Sequence, residues 1–211
     1  MKQLQELLHK YTLPFLEHIA PSTDTQVLKV KPPAYARKDG FQFDLSRLKK
    51  SQATEDRRKL LMPGREDLDS QPVLIKLRDH TTLDSGQAQA LVENLRRELA
   101  FTQGPPGTGK TYLGVALVKA IYASHMGISM TRPKPILAVC MTNPALDSFL
   151  LDLKREGILH IARLGSGSRE TWTKELQLSE LNRRFPRTQI ERHTEKKRLV
   201  AVEGRSYPDD G

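Results

Sequence analysis

Cysteine is almost missing from this chain: Cys140 is the only one among 211 residues. A single thiol excludes an intramolecular disulfide and a zinc site built on cysteines. It sits in the apolar run Ile136 to Met141, which predicts a buried thiol acting as a small hydrophobe. Aromatic residues are sparse at 6%, and no apolar run approaches the ~20 residues of a membrane span. Glu6, Pro14 and Glu17 interrupt the N-terminus before it reaches signal-peptide length. The expectation is a cytoplasmic or nuclear chain that does not engage a membrane.

What is plentiful is positive charge. Thirty-four Lys+Arg against 25 Asp+Glu give a formal net charge of +9, which suits a polyanionic partner. The excess is spread along the chain, so no single stretch names nucleic acid as that partner. A hydrophobic fraction of 37% and a mean hydropathy of -0.53 predict one well-formed core with polar flanking segments.

Leu4, Leu7, Leu8 and Tyr11 predict a short amphipathic helix over residues 3–12. From Pro21 to Gln71 the pattern weakens, and Pro32-Pro33, Gly40 and Pro63-Gly64 predict a connector or appended segment with a few short strands. Order returns at Val73-Leu74-Ile75. Asp84 followed by Gln87 is a capping-box arrangement that opens a helix through about Arg97. Three short apolar stretches read as strands: Leu99 to Thr102, Ile136 to Met141, and Ile158 to Leu164. Between them lie predicted helices over Lys110 to Ala123, with Leu113, Leu117, Val118 and Ile121 on one face, and over Ala145 to Glu156, stopped by Gly157. Alternation of this kind is the beginning of a parallel sheet with helical crossovers. Residues 171–198 are charged with sparse apolar positions and read as a polar helical insertion.

The chemistry lies at Gly104-Pro105-Pro106-Gly107-Thr108-Gly109-Lys110-Thr111, which fits G-x-x-x-x-G-K-[ST]. Glycines let successive backbone N–H groups turn inward around phosphate oxygens, and the following helix adds its positive N-terminal end. Lys110 is expected at the β- and γ-phosphates and the Thr111 hydroxyl at Mg²⁺. Tyr112 follows at the start of the helix as a further nucleotide-site residue. The expected ligand is ATP with Mg²⁺.

The flanks of the loop choose among P-loop families. Leu83-Asp84-Ser85-Gly86-Gln87-Ala88-Gln89-Ala90-Leu91 resembles the Q-motif segment of superfamily 1 helicases. Thr142-Asn143-Pro144-Ala145-Leu146-Asp147 resembles their motif Ia, and Ile161 to Ser166 is similar to their next strand. Together residues 83–170 look like the first half of the first RecA-like domain of an up-frameshift-type superfamily 1 helicase. Within that family the resemblance is to the large RNA-silencing helicases with NFX-type zinc fingers. It implies that Gln87 reads the adenine edge, and that Thr142, Asn143 and Arg163 meet the backbone of single-stranded RNA or DNA. It also implies RNA-silencing or RNA-decay proteins as partners. Pro144 and Ser148 depart from the motif Ia pattern, and Pro144 has no backbone N–H to offer.

The resulting fold expectation is α/β: a partial RecA-like P-loop domain over 81–170. An irregular accessory segment, 1–80, precedes it and a charged helical insertion, 171–211, follows. No apolar strand ending in Asp-Glu follows the loop; Glu203 lacks a preceding Asp, and Asp209-Asp210 follows Pro208. By the resemblance the chain stops inside the first motor domain, so these residues alone are expected neither to hydrolyse ATP nor to unwind a duplex. Two other readings are an AAA-type ATPase, which should show that Asp-Glu strand, and a non-catalytic fragment that binds nucleotide or nucleic acid. A GTPase is disfavoured because no Asn-Lys-x-Asp motif occurs.

Overall fold

The computed structural model describes residues 31–49, 62–126, 135–165, 168 and 170–184. The helix expected over residues 3–12 and the acidic residues Glu203, Asp209 and Asp210 lie outside them. The chain divides into two compact units, Met1–Leu137 and Ala138–Gly211.

In the first unit three helices follow one another: α1 (Gln71–His80), α2 (Ser85–Arg96) and α3 (Lys110–Met126). Pro72 stands in the first turn of α1, where a missing N–H costs nothing. Thr81, fully buried, joins α1 to α2: its hydroxyl donates to the Leu77 carbonyl at 2.6 Å and accepts from the Leu83 N–H at 3.2 Å. The capping box of α2 is formed in both directions. The Gln87 N–H donates to Asp84 Oδ1 at 2.8 Å, and the Asp84 N–H donates to Gln87 Oε1 at 3.2 Å. Asp84→Ala should cost about 1 kcal/mol, read as a lowered urea midpoint with unchanged slope, whereas Asp84→Asn should retain most of the stability. An unmoved midpoint in the alanine variant would mean that packing alone holds this helix end.

α2 packs against both α1 and α3, and α3 packs against a 3₁₀ turn at Ser46–Leu48. Leu113, Leu117 and Ile121 of α3 meet the core as expected, and alanines complete the buried face. Leu113, Ala116, Ala120 and Ala123 are buried, while Leu117, Val118 and Ile121 are half-buried.

The segment expected to be a connector is part of this core. Phe43, Leu45 and Leu68 are fully buried with Leu77, Leu91 and Leu95. Phe41 and Phe43 meet edge to face at 4.9 Å between centroids, and the Tyr35 ring lies 5.0 Å from that of His125 on α3. Burial pushes the Tyr35 phenol up to about 12, so it stays neutral. Proline and glycine spacing signals irregular backbone but not exposure, and here irregular backbone carries aromatic side chains inward.

The second unit begins with extended chain and then α4 (Asn143–Arg155). Thr142 is its N-cap, its hydroxyl accepting from the Ala145 N–H at 3.3 Å, so the helix starts two residues before the expected Ala145. Pro144 falls in the first turn, whose N–H groups have no intrahelical acceptor. Gly157, at φ 80, ends the helix and turns the chain so that Ile158 is buried beside Leu150 and Leu153. A 3₁₀ turn (Thr171–Leu176) and α5 (Leu178–Arg184) account for the described part of the expected insertion.

No strand ladder forms among the described residues. Isolated bridges join Gln42 to Gly64, Lys49 to Thr81 and Arg163 to Gln177. Of the three expected strands only Ile158 to Leu164 is paired, through the single bridge at Arg163, and several of their apolar side chains are open to solvent: Phe101 at 77%, Val139 at 81% and Met141 at 101%. Cys140 among them is half-buried rather than enclosed.

Candidate nucleotide site

Residues Gly104 to Thr111 link the chain after α2 to the first turn of α3. Two glycines sit in the left-handed region, Gly107 at φ 83 and Gly109 at φ 78, where a side chain would be strained. Two also admit close neighbours. A Cβ on Gly104 would lie 2.9 Å from Thr108 Oγ1, and one on Gly109 would lie 2.5 Å from Gln87 Nε2. The Thr108 hydroxyl donates to the Pro105 carbonyl at 2.9 Å, closing the loop on itself.

Lys110 Nζ donates to the carbonyls of Gly104 and Pro105, each at 2.7 Å. Its ammonium is thereby held over the loop, at the positive end of a 17-residue helix. Pro105, Pro106, Thr108, Lys110, Thr111 and Tyr112 are exposed, while Gly104 and Gly109 are half-buried. The fit to a phosphate chain is good: a Cβ-free cradle, an ammonium held over it, and an exposed hydroxyl at Thr111. No three His, Cys, Asp or Glu side chains cluster among the described residues, so any divalent ion here would depend on the nucleotide for most of its ligands.

Gln87 is brought to the loop by the same capping box that starts α2. Its Nε2 donates to the Thr108 carbonyl at 3.3 Å, so one side chain both caps a helix and touches the phosphate loop. The Tyr112 hydroxyl is hydrogen-bonded to Thr82 Oγ1. Sequence reasoning missed Thr82 and Asn94. Asn94 Nδ2 donates to Thr102 Oγ1 at 2.9 Å and tethers the chain just before the loop. The only sequence signal was an amide one position before Leu95 on an otherwise apolar face.

Thr142, Asn143 and Arg163 belong to the second unit. Thr142 and Asn143 are exposed at the start of α4. Arg163 is 1% exposed and does not face solvent, which corrects the expectation that it reaches a nucleic-acid backbone. Its Nε donates to Asp147 Oδ1 at 2.7 Å, Nη1 to the Gly165 carbonyl at 3.0 Å, and Nη2 to Asn143 Oδ1 at 3.0 Å. Ser168 Oγ donates to the other Asp147 oxygen at 2.7 Å. Burial raises the Asp147 carboxyl, but the hydrogen bonds from Arg163 and Ser168 and the Arg163 charge outweigh it and hold the group below the usual carboxylate range.

A family model described as an AAA domain matches residues 82–205, which include the loop, Gln87 and this buried network. The chain is 42% identical over 113 residues to human NFX1-type zinc finger-containing protein 1, covering 53% of this chain and 6% of that protein. It is 34% identical over 88 residues to the Schizosaccharomyces pombe helicase required for RNAi-mediated heterochromatin assembly 1, covering 42% and 8%. It is 32% identical over 92 residues to the ATP-dependent helicase upf1 of the same yeast, covering 42% and 9%. The chain thus spans less than a tenth of the length of these relatives. No solved structure matches it. With the model matching more than half of its residues, and with these relatives, the chain belongs to the AAA domain family of P-loop, RecA-like fold, as an ATP-binding part related to the up-frameshift-type superfamily 1 helicases.

Proposed function

We propose that this chain binds Mg²⁺-ATP at Gly104–Thr111 and single-stranded nucleic acid at Thr142 and Asn143, as the nucleotide-holding part of an ATP-dependent helicase. The observation that carries the reading is the loop itself: two left-handed glycines, two positions where a Cβ would crowd the Thr108 or Gln87 side chain, and Lys110 Nζ held over the loop carbonyls. Bound nucleotide supplies the scissile γ-phosphoryl group. Lys110 would hold the β- and γ-phosphate oxygens, the Thr111 hydroxyl would ligate the ion, and the amides of Gly107 to Thr111 would surround the chain of phosphates. Gln87, already at the Thr108 carbonyl, contacts the adenine edge, with Tyr112 beside the loop on α3. Arg163 acts inside the protein, fixing the Asn143 amide from behind.

The finer architecture belongs to this reading too. Leu99–Thr102, Ile136–Met141 and Ile158–Leu164 serve as strands of a parallel sheet, in a motor portion over 81–170 flanked by an accessory segment, 1–80, and an insertion, 171–211. Hydrolysis coupled to translocation, and a place beside RNA-silencing or RNA-decay proteins, extend it to the full length of such a helicase.

Contacts of this type and the diffuse net charge of +9 address phosphates rather than base edges, so binding should be tolerant of sequence and, through the charge, sensitive to salt. Fluorescence anisotropy with single-stranded RNA and DNA from 50 to 200 mM salt is expected to show affinity falling about ten-fold or more. Affinity indifferent to salt, or confined to one base sequence, would remove nucleic acid from the proposal while leaving the nucleotide site intact.

A further inference from the structure

We infer that a groove along α4 receives one base of a single strand, stacked on the indole of Trp172. This rests on the nucleic-acid part of the proposed function and adds to it Trp172, a stacking surface that lies outside both the P-loop and the motif Ia segment. The groove encloses about 600 Å³, with Pro144, Leu151 and Trp172 as apolar walls and Asn143, Ser148 and Glu170 as polar ones. A flat half-buried aromatic beside mixed donors and acceptors matches a heteroaromatic base, which offers a π-face and a polar edge.

Charge decides against other occupants. Glu170 is an exposed carboxylate on the wall and repels a phosphate seated inside. Asp147 also lines the groove, but its charge is matched by the buried Arg163. A protein arginine is disfavoured because the ring already carries a cation, Lys154 Nζ, 5.6 Å from its centroid. A base arrives with its phosphodiester, and that negative charge complements the Lys154 ammonium. Thr142 and Asn143 stand at the start of α4, and Asn143 also lines the groove, so backbone contacts would adjoin the base.

Trp172 is the only tryptophan in the chain, so its emission reports on this groove alone. The full chain is titrated with a single-stranded oligonucleotide, with an abasic oligonucleotide of equal charge, and with an oligoarginine peptide. Quenching by the base-bearing strand and not by the abasic one is expected. Trp172→Leu should weaken anisotropy-measured binding of the base-bearing strand about ten-fold and leave the abasic strand unaffected; Trp172→Phe should fall between. Binding that leaves the emission unchanged, or losses equal for both strands, would overturn the stacking site while the proposed function stands. Quenching by the peptide alone would overturn it in favour of a protein partner. No binding of either strand would overturn the stacking site together with the nucleic-acid part of the proposed function, leaving the nucleotide site intact.

Discussion

Lys110→Ala should weaken ATP binding by about 10- to 100-fold in a calorimetric titration with Mg²⁺ present. A hydrogen bond from a charged donor to a charged acceptor contributes about 1.5–3 kcal/mol, and each 1.4 kcal/mol is ten-fold in affinity. The loss has a second source. Lys110 Nζ also fastens the carbonyls of Gly104 and Pro105 at 2.7 Å, so removing it loosens the cradle that remains. Thr111→Ala is the informative companion. Its hydroxyl is assigned to the ion, so its effect should vanish when ATP is titrated without Mg²⁺, whereas the Lys110 effect should persist. Equal affinity of wild type and Lys110→Ala would take this lysine out of the site.

Asp147→Ala should destabilise the second unit by about 3–5 kcal/mol, since it leaves the Arg163 charge buried without its partner. Asp147 is 4% exposed and Arg163 1%, so water cannot replace the lost carboxylate. Against a typical domain stability of about 5–15 kcal/mol this is a large fraction. Urea unfolding followed by Trp172 emission, which lies in that unit, should show the midpoint fall steeply. Replacing both partners with apolar residues, Asp147→Leu with Arg163→Met, should recover much of the loss. The pH dependence has a definite sign. The folded carboxyl is held below its unfolded value of about 3.9. Its contribution is therefore complete above that value and is lost as pH falls through the lower, folded one. An Asp147→Ala midpoint equal to that of wild type would show that the pair is not a structural strut.

Much of the geometry of the proposed nucleotide site was legible in residue order. Asp84 and Gln87 stand three apart, a spacing that only a helix start makes reciprocal, and the structure forms both bonds. The glycines of the loop stand where left-handed backbone or close approach requires them. Arg163 was not legible. An arginine near a strand end, two residues before Gly165, reads as exposed, because long cations are seldom buried. Only the fold brings Asp147, sixteen residues earlier, to its Nε. The aromatic packing of Tyr35, Phe41 and Phe43 was hidden for a related reason, since irregular backbone has no period from which burial can be read.

By itself the sequence determined the local pattern: the glycine-rich loop with its lysine and hydroxyl, the capped start of α2, and the single thiol. These depend on neighbours within a few residues, where spacing along the chain equals spacing in space. Tertiary structure decided which polar groups face solvent and which are spent inside. It buried the residue 31–49 aromatics against α3 and turned Arg163 from a surface contact into an internal strut behind Asn143. Such pairings join residues far apart in sequence, and their charges are tolerated only where the folded chain supplies a partner and excludes water.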